Sequence, residues 1–80
     1  MDNNQKKLWL VISFINVTEA MRSEKLFLHA GSNGTLIPTP RQISASCGIC
    51  WRADLTERSM LEAVIEKEKI MTDQINTIEM

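Results

Sequence analysis

The chain has 80 residues, 44% of them apolar and 24% charged. That is enough apolar material for one folded core, too short for two, and unlike a disordered segment. Nine Lys and Arg against ten Asp and Glu leave a formal charge of −1, with four aromatic side chains and no tyrosine, which argues against a basic nucleic-acid binder with a base-stacking platform.

Residues 1–80 are therefore read as a single domain. A core this thin leaves no room for a large cofactor cleft, so no cofactor is expected. Residues 1–6 are polar and predicted to be disordered. Leu8 to Ile15 is a continuous apolar run rich in β-branched and aromatic residues. It is too short to span a membrane, which takes about 20 residues, and reads as a central strand covered on at least one face. Lys6-Lys7 before this run imitates a secretory signal, but no small-residue cleavage site follows. The expected location is the cytoplasm, without membrane association.

Asn16 can cap a helix, and Asn16-Val17-Thr18-Glu19 has capping-box spacing. The helix is predicted over about 17–30, with Val17, Ala20, Met21, Phe27 and Leu28 on one stripe. Gly31 suits the left-handed position that stops it. Ser32-Asn33-Gly34 is turn chemistry, and Thr35-Leu36-Ile37 is a short strand that Pro38 places at an edge. Arg41 to Gly48 has no periodicity and reads as a loop. Ile49 to Ala53 alternates and reads as a third strand.

A second capping signal at Asp54 or Thr56 opens a helix predicted over about 56–71, with Met60, Leu61, Val64, Ile65 and Met71 inward. Residues 72–80 carry the least pattern, with Ile75, Thr77 and Ile78 fitting a short last strand. The order β-α-β-β-α, with a last β, closes naturally as an α+β, ferredoxin-like split βαβ sandwich. One antiparallel sheet would carry both helices on one face. The other face would be partly open and would suit a homodimer. A small thioredoxin-like domain is the alternative fold.

The unusual stretch is Gly34 to Arg52. A hairpin connection takes about two to five residues, whereas about ten are spent here behind two prolines. Long ordered loops in compact domains are more often functional than structural. Cys47-Gly48-Ile49-Cys50 is a C-x-x-C, and in a reducing compartment such a pair points to redox, carrier or metal chemistry. The thiolate is the reactive form, and Arg41 and Arg52 flank it in sequence as candidate stabilising cations. Ser44 and Ser46 could donate hydrogen bonds to a thiolate, and Gly48 would let backbone N–H groups approach it. A strand-like segment, not a helix, follows Cys47, which disfavours a thioredoxin-type centre. Zinc takes four ligands, so only a four-cysteine site shared by two subunits would serve, and no metal is expected within one chain. His29 reads as a surface residue at a helix end.

The run Leu36-Ile37-Pro38-Thr39-Pro40-Arg41, then Ile43-Ser44-Ala45-Ser46-Cys47-Gly48, then Arg52, resembles the selenium/sulfur carrier protein-like family of small bacterial domains. Ala20 to Gly31 is similar to that family's first helix, and the resemblance spans about residues 8–70. It implies a thiol that carries sulfur or selenium as a persulfide or selenopersulfide. By this resemblance the thiol is Cys47, in a setting of Arg41, Ser44, Ser46 and Gly48. Cys50 stands where the family more often has a small residue that is not cysteine. A second thiol so close would tend to attack a persulfide on Cys47.

The leading reading is therefore a carrier, with Cys47 as the accepting thiol and donor and acceptor proteins as partners. Its small size favours a carrier over an enzyme acting alone. The rivals are a dithiol redox protein cycling a Cys47–Cys50 disulfide, and an interaction domain in which the thiols are incidental.

Overall fold

The computed structural model describes residues 6–45 and 47–80. The elements are β1 (Leu8–Phe14), α1 (Val17–His29), β2 (Thr35–Pro38), β3 (Ile49–Asp54), a 3-10 turn (Leu55–Glu57), α2 (Arg58–Glu68) and β4 (Thr72–Glu79). The sheet runs β2-β3-β1-β4, every neighbouring pair antiparallel. This is the expected α+β, ferredoxin-like arrangement. The last strand is eight residues long, more than the sequence pattern suggested.

β1 is apolar apart from Ser13 because it is central, and its residues from Leu10 to Phe14 are buried. Leu10, Ile12 and Phe14 point to the helices, where Ala20, Phe27, Trp51, Ala53, Leu61 and Ile70 complete the main core. Phe27 is its hub, with ring centroids 5.3 Å from Trp51 and 6.4 Å from Phe14. Both aromatic pairs are tilted, at spacings typical of favourable ring contacts. Val11 points the other way and joins Cys50 and Ile78 in a smaller cluster, roofed by Trp9, Ile37, Ile43 and Met80. The face expected to be open is thus partly covered, and part of its cover is Ile43 of the loop before β3.

The expected stop of α1 is present in full. Gly31 takes φ +102°, Ser32 N–H donates to the Phe27 carbonyl at 3.0 Å, and Gly31 N–H donates to Leu28 at 3.0 Å. These are the two bonds of a Schellman ending. At the other end, Asn16 Oδ1 accepts from Glu19 N–H at 2.8 Å. The return half of the capping box is replaced. Glu19 Oε1 accepts from Met71 N–H at 3.1 Å and from Arg22 at 3.2 Å.

The inward stripe of α1 is corrected. Ala20, Ser23 and Phe27 are buried, whereas Val17, Met21 and Leu28 are about half exposed. The helix turns so that Phe27 meets both Trp51 and Phe14, and this brings the small Ser23 inward. α2 stops at Glu68 instead of reaching 71, because Lys69 takes the left-handed conformation, with φ 53°. Met71 is consequently exposed. Asp54 caps the turn that starts α2, accepting from Thr56 N–H at 2.9 Å.

Gly34 is required by contact. A Cβ there would lie 2.5 Å from the Arg52 carbonyl and 2.6 Å from Trp51 Nε1. One of those neighbours is backbone and the other a fully buried ring, so neither can yield cheaply. Gly34→Ala is expected to cost about 1–3 kcal/mol, the usual range for overpacking, read as a lower urea midpoint.

Asp54 also receives Lys7 Nζ at 2.7 Å. The hydrogen bond from Lys7, then those from Thr56, hold its carboxyl well below the usual carboxylate range. A carboxylate with a depressed folded pKa stabilises the fold above its unfolded value of about 4. That contribution disappears as pH falls through the folded value. Thermal melts in acid should therefore show a smaller pH-dependent loss for Asp54→Asn than for the parent protein. The pair is exposed, so the difference will be modest.

Candidate functional site

Among the described residues, a few bonds tie down the loop over 39–48. Thr39 N–H donates to the Gly48 carbonyl at 3.0 Å, and Ile43 N–H closes a turn on Pro40 at 3.2 Å. Gln74 of β4 donates its side-chain amide to the Ser44 carbonyl. Ile43 then packs onto the Val11, Cys50 and Ile78 cluster. A groove of about 470 Å³ lies between the loop and β4, lined by residues that include Lys6, Gln42, Ile43, Asn76 and Ile78. Neither cysteine lines it.

The two cysteines are free and buried. Cys47, 3% exposed, sits just before β3 and packs into the main core on the helix side. Cys50, fully buried, lies on β3 opposite Ser13 of β1 and Ile37 of β2, on the other side of the sheet. The C-x-x-C spacing therefore packs the two side chains into different clusters, on opposite sides of the sheet. Burial pushes the Cys50 thiol up from its ordinary value, against the pull of a hydrogen bond from Thr39. Electrostatic repulsion from Cys47 and Asp73 pushes it further in the same direction. Cys50 is thus held as a thiol at neutral pH.

Neither arginine is among the groups acting on Cys50. The Arg52 guanidinium lies over the Trp9 ring, 4.4 Å from its centroid, with Lys7 over the same ring at 4.3 Å. Arg41 is exposed in the turn after Pro40. Ser44 contributes its carbonyl to the loop closure, and Gly48 is exposed, with nothing within 4 Å of where a Cβ would sit. Ser46 lies outside the described residues, as do residues 1–5 of the segment expected to be disordered.

Sequence reasoning missed Thr39. Its hydroxyl donates to the Cys47 carbonyl at 2.7 Å and lies 3.3 Å from Cys50 Sγ. Its place between two prolines in the loop is the signal the sequence offers. Gln74 was also missed, since nothing in a polar edge strand marks the residue that will reach a distant carbonyl.

Among the described residues, no group of three His, Cys, Asp or Glu side chains is placed to hold a metal ion. No helix among them is long and apolar enough to cross a membrane. Residues 10–76 match the family described as "Putative Se/S carrier protein-like". The chain belongs to that family. No curated protein and no solved structure matches it. The family description names selenium or sulfur carriage for the family as a whole.

Proposed function

We propose that the protein carries sulfur or selenium on Cys47. The observation that supports this most is the position of that thiol. It stands at the end of a loop held, among its described residues, by few bonds, in a chain whose family is described by carriage. Segments with few buried contacts open at a lower free energy than the whole fold. Opening of residues 39–48 would present Cys47 to a donor protein, and closure would return it to an apolar environment.

The transfer needs no added oxidant. The Cys47 thiolate attacks the terminal sulfur of a donor persulfide. The donor's S–S bond breaks as the new one forms, and the donor cysteine leaves as a thiolate. A second such exchange hands the sulfur to an acceptor. Selenium would follow the same path from a donor selenopersulfide. Arg41, exposed in the loop, would meet the anionic terminal atom when the loop is open.

Two features of Cys50 support stable carriage. It points to the opposite side of the sheet, and burial keeps it protonated. Both make it a poor attacker of a persulfide on Cys47. No observation favours the dithiol alternative. To test the reading, the protein is incubated with a cysteine desulfurase and cysteine, alkylated, and weighed intact. An added mass of one sulfur is expected. An unchanged mass, beside a known acceptor that does gain sulfur, would overturn it.

A further inference from the structure

The Thr39 hydroxyl carries one hydrogen and has two partners. It lies 2.7 Å from the Cys47 carbonyl oxygen and 3.3 Å from Cys50 Sγ. While Cys50 is a thiol, both contacts are served by a chain. The S–H donates to Thr39 Oγ1, and Thr39 O–H donates to the Cys47 carbonyl. A thiolate has no hydrogen to give and is the stronger acceptor, since hydrogen bonds to ionised groups are roughly twice as strong as neutral ones. The single hydroxyl hydrogen then turns to the sulfur, and the Cys47 carbonyl loses its side-chain donor.

We propose that Thr39 is a positioning residue that couples the charge on Cys50 to the release of Cys47. The hydroxyl reads the state of a sulfur on one side of the sheet and holds or frees the backbone of the cysteine on the other. Thr39 N–H also donates to the Gly48 carbonyl, and β2 pairs with β3 from Pro38–Ile49 onward, and these ties do not use the Thr39 hydroxyl. The coupling rests on the carrier reading for its purpose, but its geometry stands apart from it. It makes Cys47 hardest to reach while Cys50 is neutral.

Among the described residues, few charged groups face Cys50. Asp73 of β4 and Cys47 act on it electrostatically. β1 offers Val11 and Ser13, β2 offers Ile37, and the loop offers Ile43, none of them charged. Arg52 lies two residues along β3, engaged with Trp9.

The test is the rate of alkylation of Cys47 against pH, resolved from Cys50 by peptide mass, in the full chain and in Thr39→Val, Thr39→Ser and Cys50→Ala. Besides the rise that any alkylated thiol shows, the parent protein should show a second rise as Cys50 ionises. Thr39→Val keeps both thiols but cannot donate, so the second rise should vanish and the rate at low pH should increase. Thr39→Ser should restore the second rise, and Cys50→Ala should lack it. General loosening of the fold would raise the rate at every pH without removing a step. A second rise that survives in Thr39→Val, or is missing from the parent, overturns the proposal. The sulfur-loading assay on the same variants separates the two claims. A Thr39-dependent step without sulfur on Cys47 sinks the carrier reading and keeps the coupling. Loading without the step does the reverse.

Discussion

Trp51→Ala should leave the chain largely unfolded under conditions where the parent protein is folded. Trp51 has no exposed surface, and it receives Phe27 on one side and the Gly34 backbone on another. Removing a buried aromatic typically costs about 3–5 kcal/mol. A single small core rarely supplies more than about that much net stability. The two quantities are of the same size, so the loss should be nearly total rather than graded. Trp51→Phe is the informative companion. It keeps a ring against Phe27 and removes the indole N–H, which is buried without a hydrogen-bond partner. Its cost should be well below that of alanine. Urea unfolding followed by far-UV circular dichroism measures both. An alanine variant as stable as the parent protein would show that this aromatic cluster does not hold the sheet to its helices.

The largest functional effect is expected from the two cysteines, and it should be unequal. Cys47→Ala should abolish sulfur loading outright, because it removes the accepting atom. Cys50→Ala should load at least as well as the parent, since Cys50 faces away and remains protonated. It should also hold the persulfide no less long, as one potential attacker has gone. Cys50 is fully buried, so a modest loss of stability accompanies its removal. The loading assay is therefore run well below the melting temperature of that variant. Equal loss of loading in both variants would point instead to a shared dithiol.

Much of the fold can be read along the chain, and the exceptions have physical reasons. The run from Leu8 to Ile15 announces a strand covered on at least one face, and in the fold both faces are packed. Gly31 announces the end of α1, because only that backbone needs a positive φ there. The end of α2 is silent in sequence, since Lys69 adopts a left-handed conformation that a β-carbon normally disfavours. The α1 face misleads for a different reason. Met21 and Leu28 outrank Ser23 in hydrophobicity, yet the position of Phe27 between Phe14 and Trp51 decides which side turns inward. β4 reads faintly because its exposed residues alternate with few apolar ones, Ile75 and Ile78.

The site divides in the same way. The loop, its length and its two cysteines are visible as soon as the residues are counted. What cannot be read is which side of the sheet each sulfur takes. Cys47 precedes β3 and is free of its alternation, whereas Cys50 lies within it. Proximity in sequence also suggested that Arg41 and Arg52 attend the thiols. Arg52 is instead drawn to the Trp9 ring, whose π-face offers it a better partner than a neutral, buried sulfur. Thr39 emerges only in three dimensions, because its two partners lie eight and eleven residues away.

The most direct test of the carrier account is to locate the transferred atom. After loading from a desulfurase, the alkylated protein is digested and the added sulfur mapped to a residue by tandem mass spectrometry. The account predicts a persulfide on Cys47 and an unmodified sulfur at Cys50. A persulfide found on Cys50 alone, or a Cys47–Cys50 disulfide as the sole product, would contradict it.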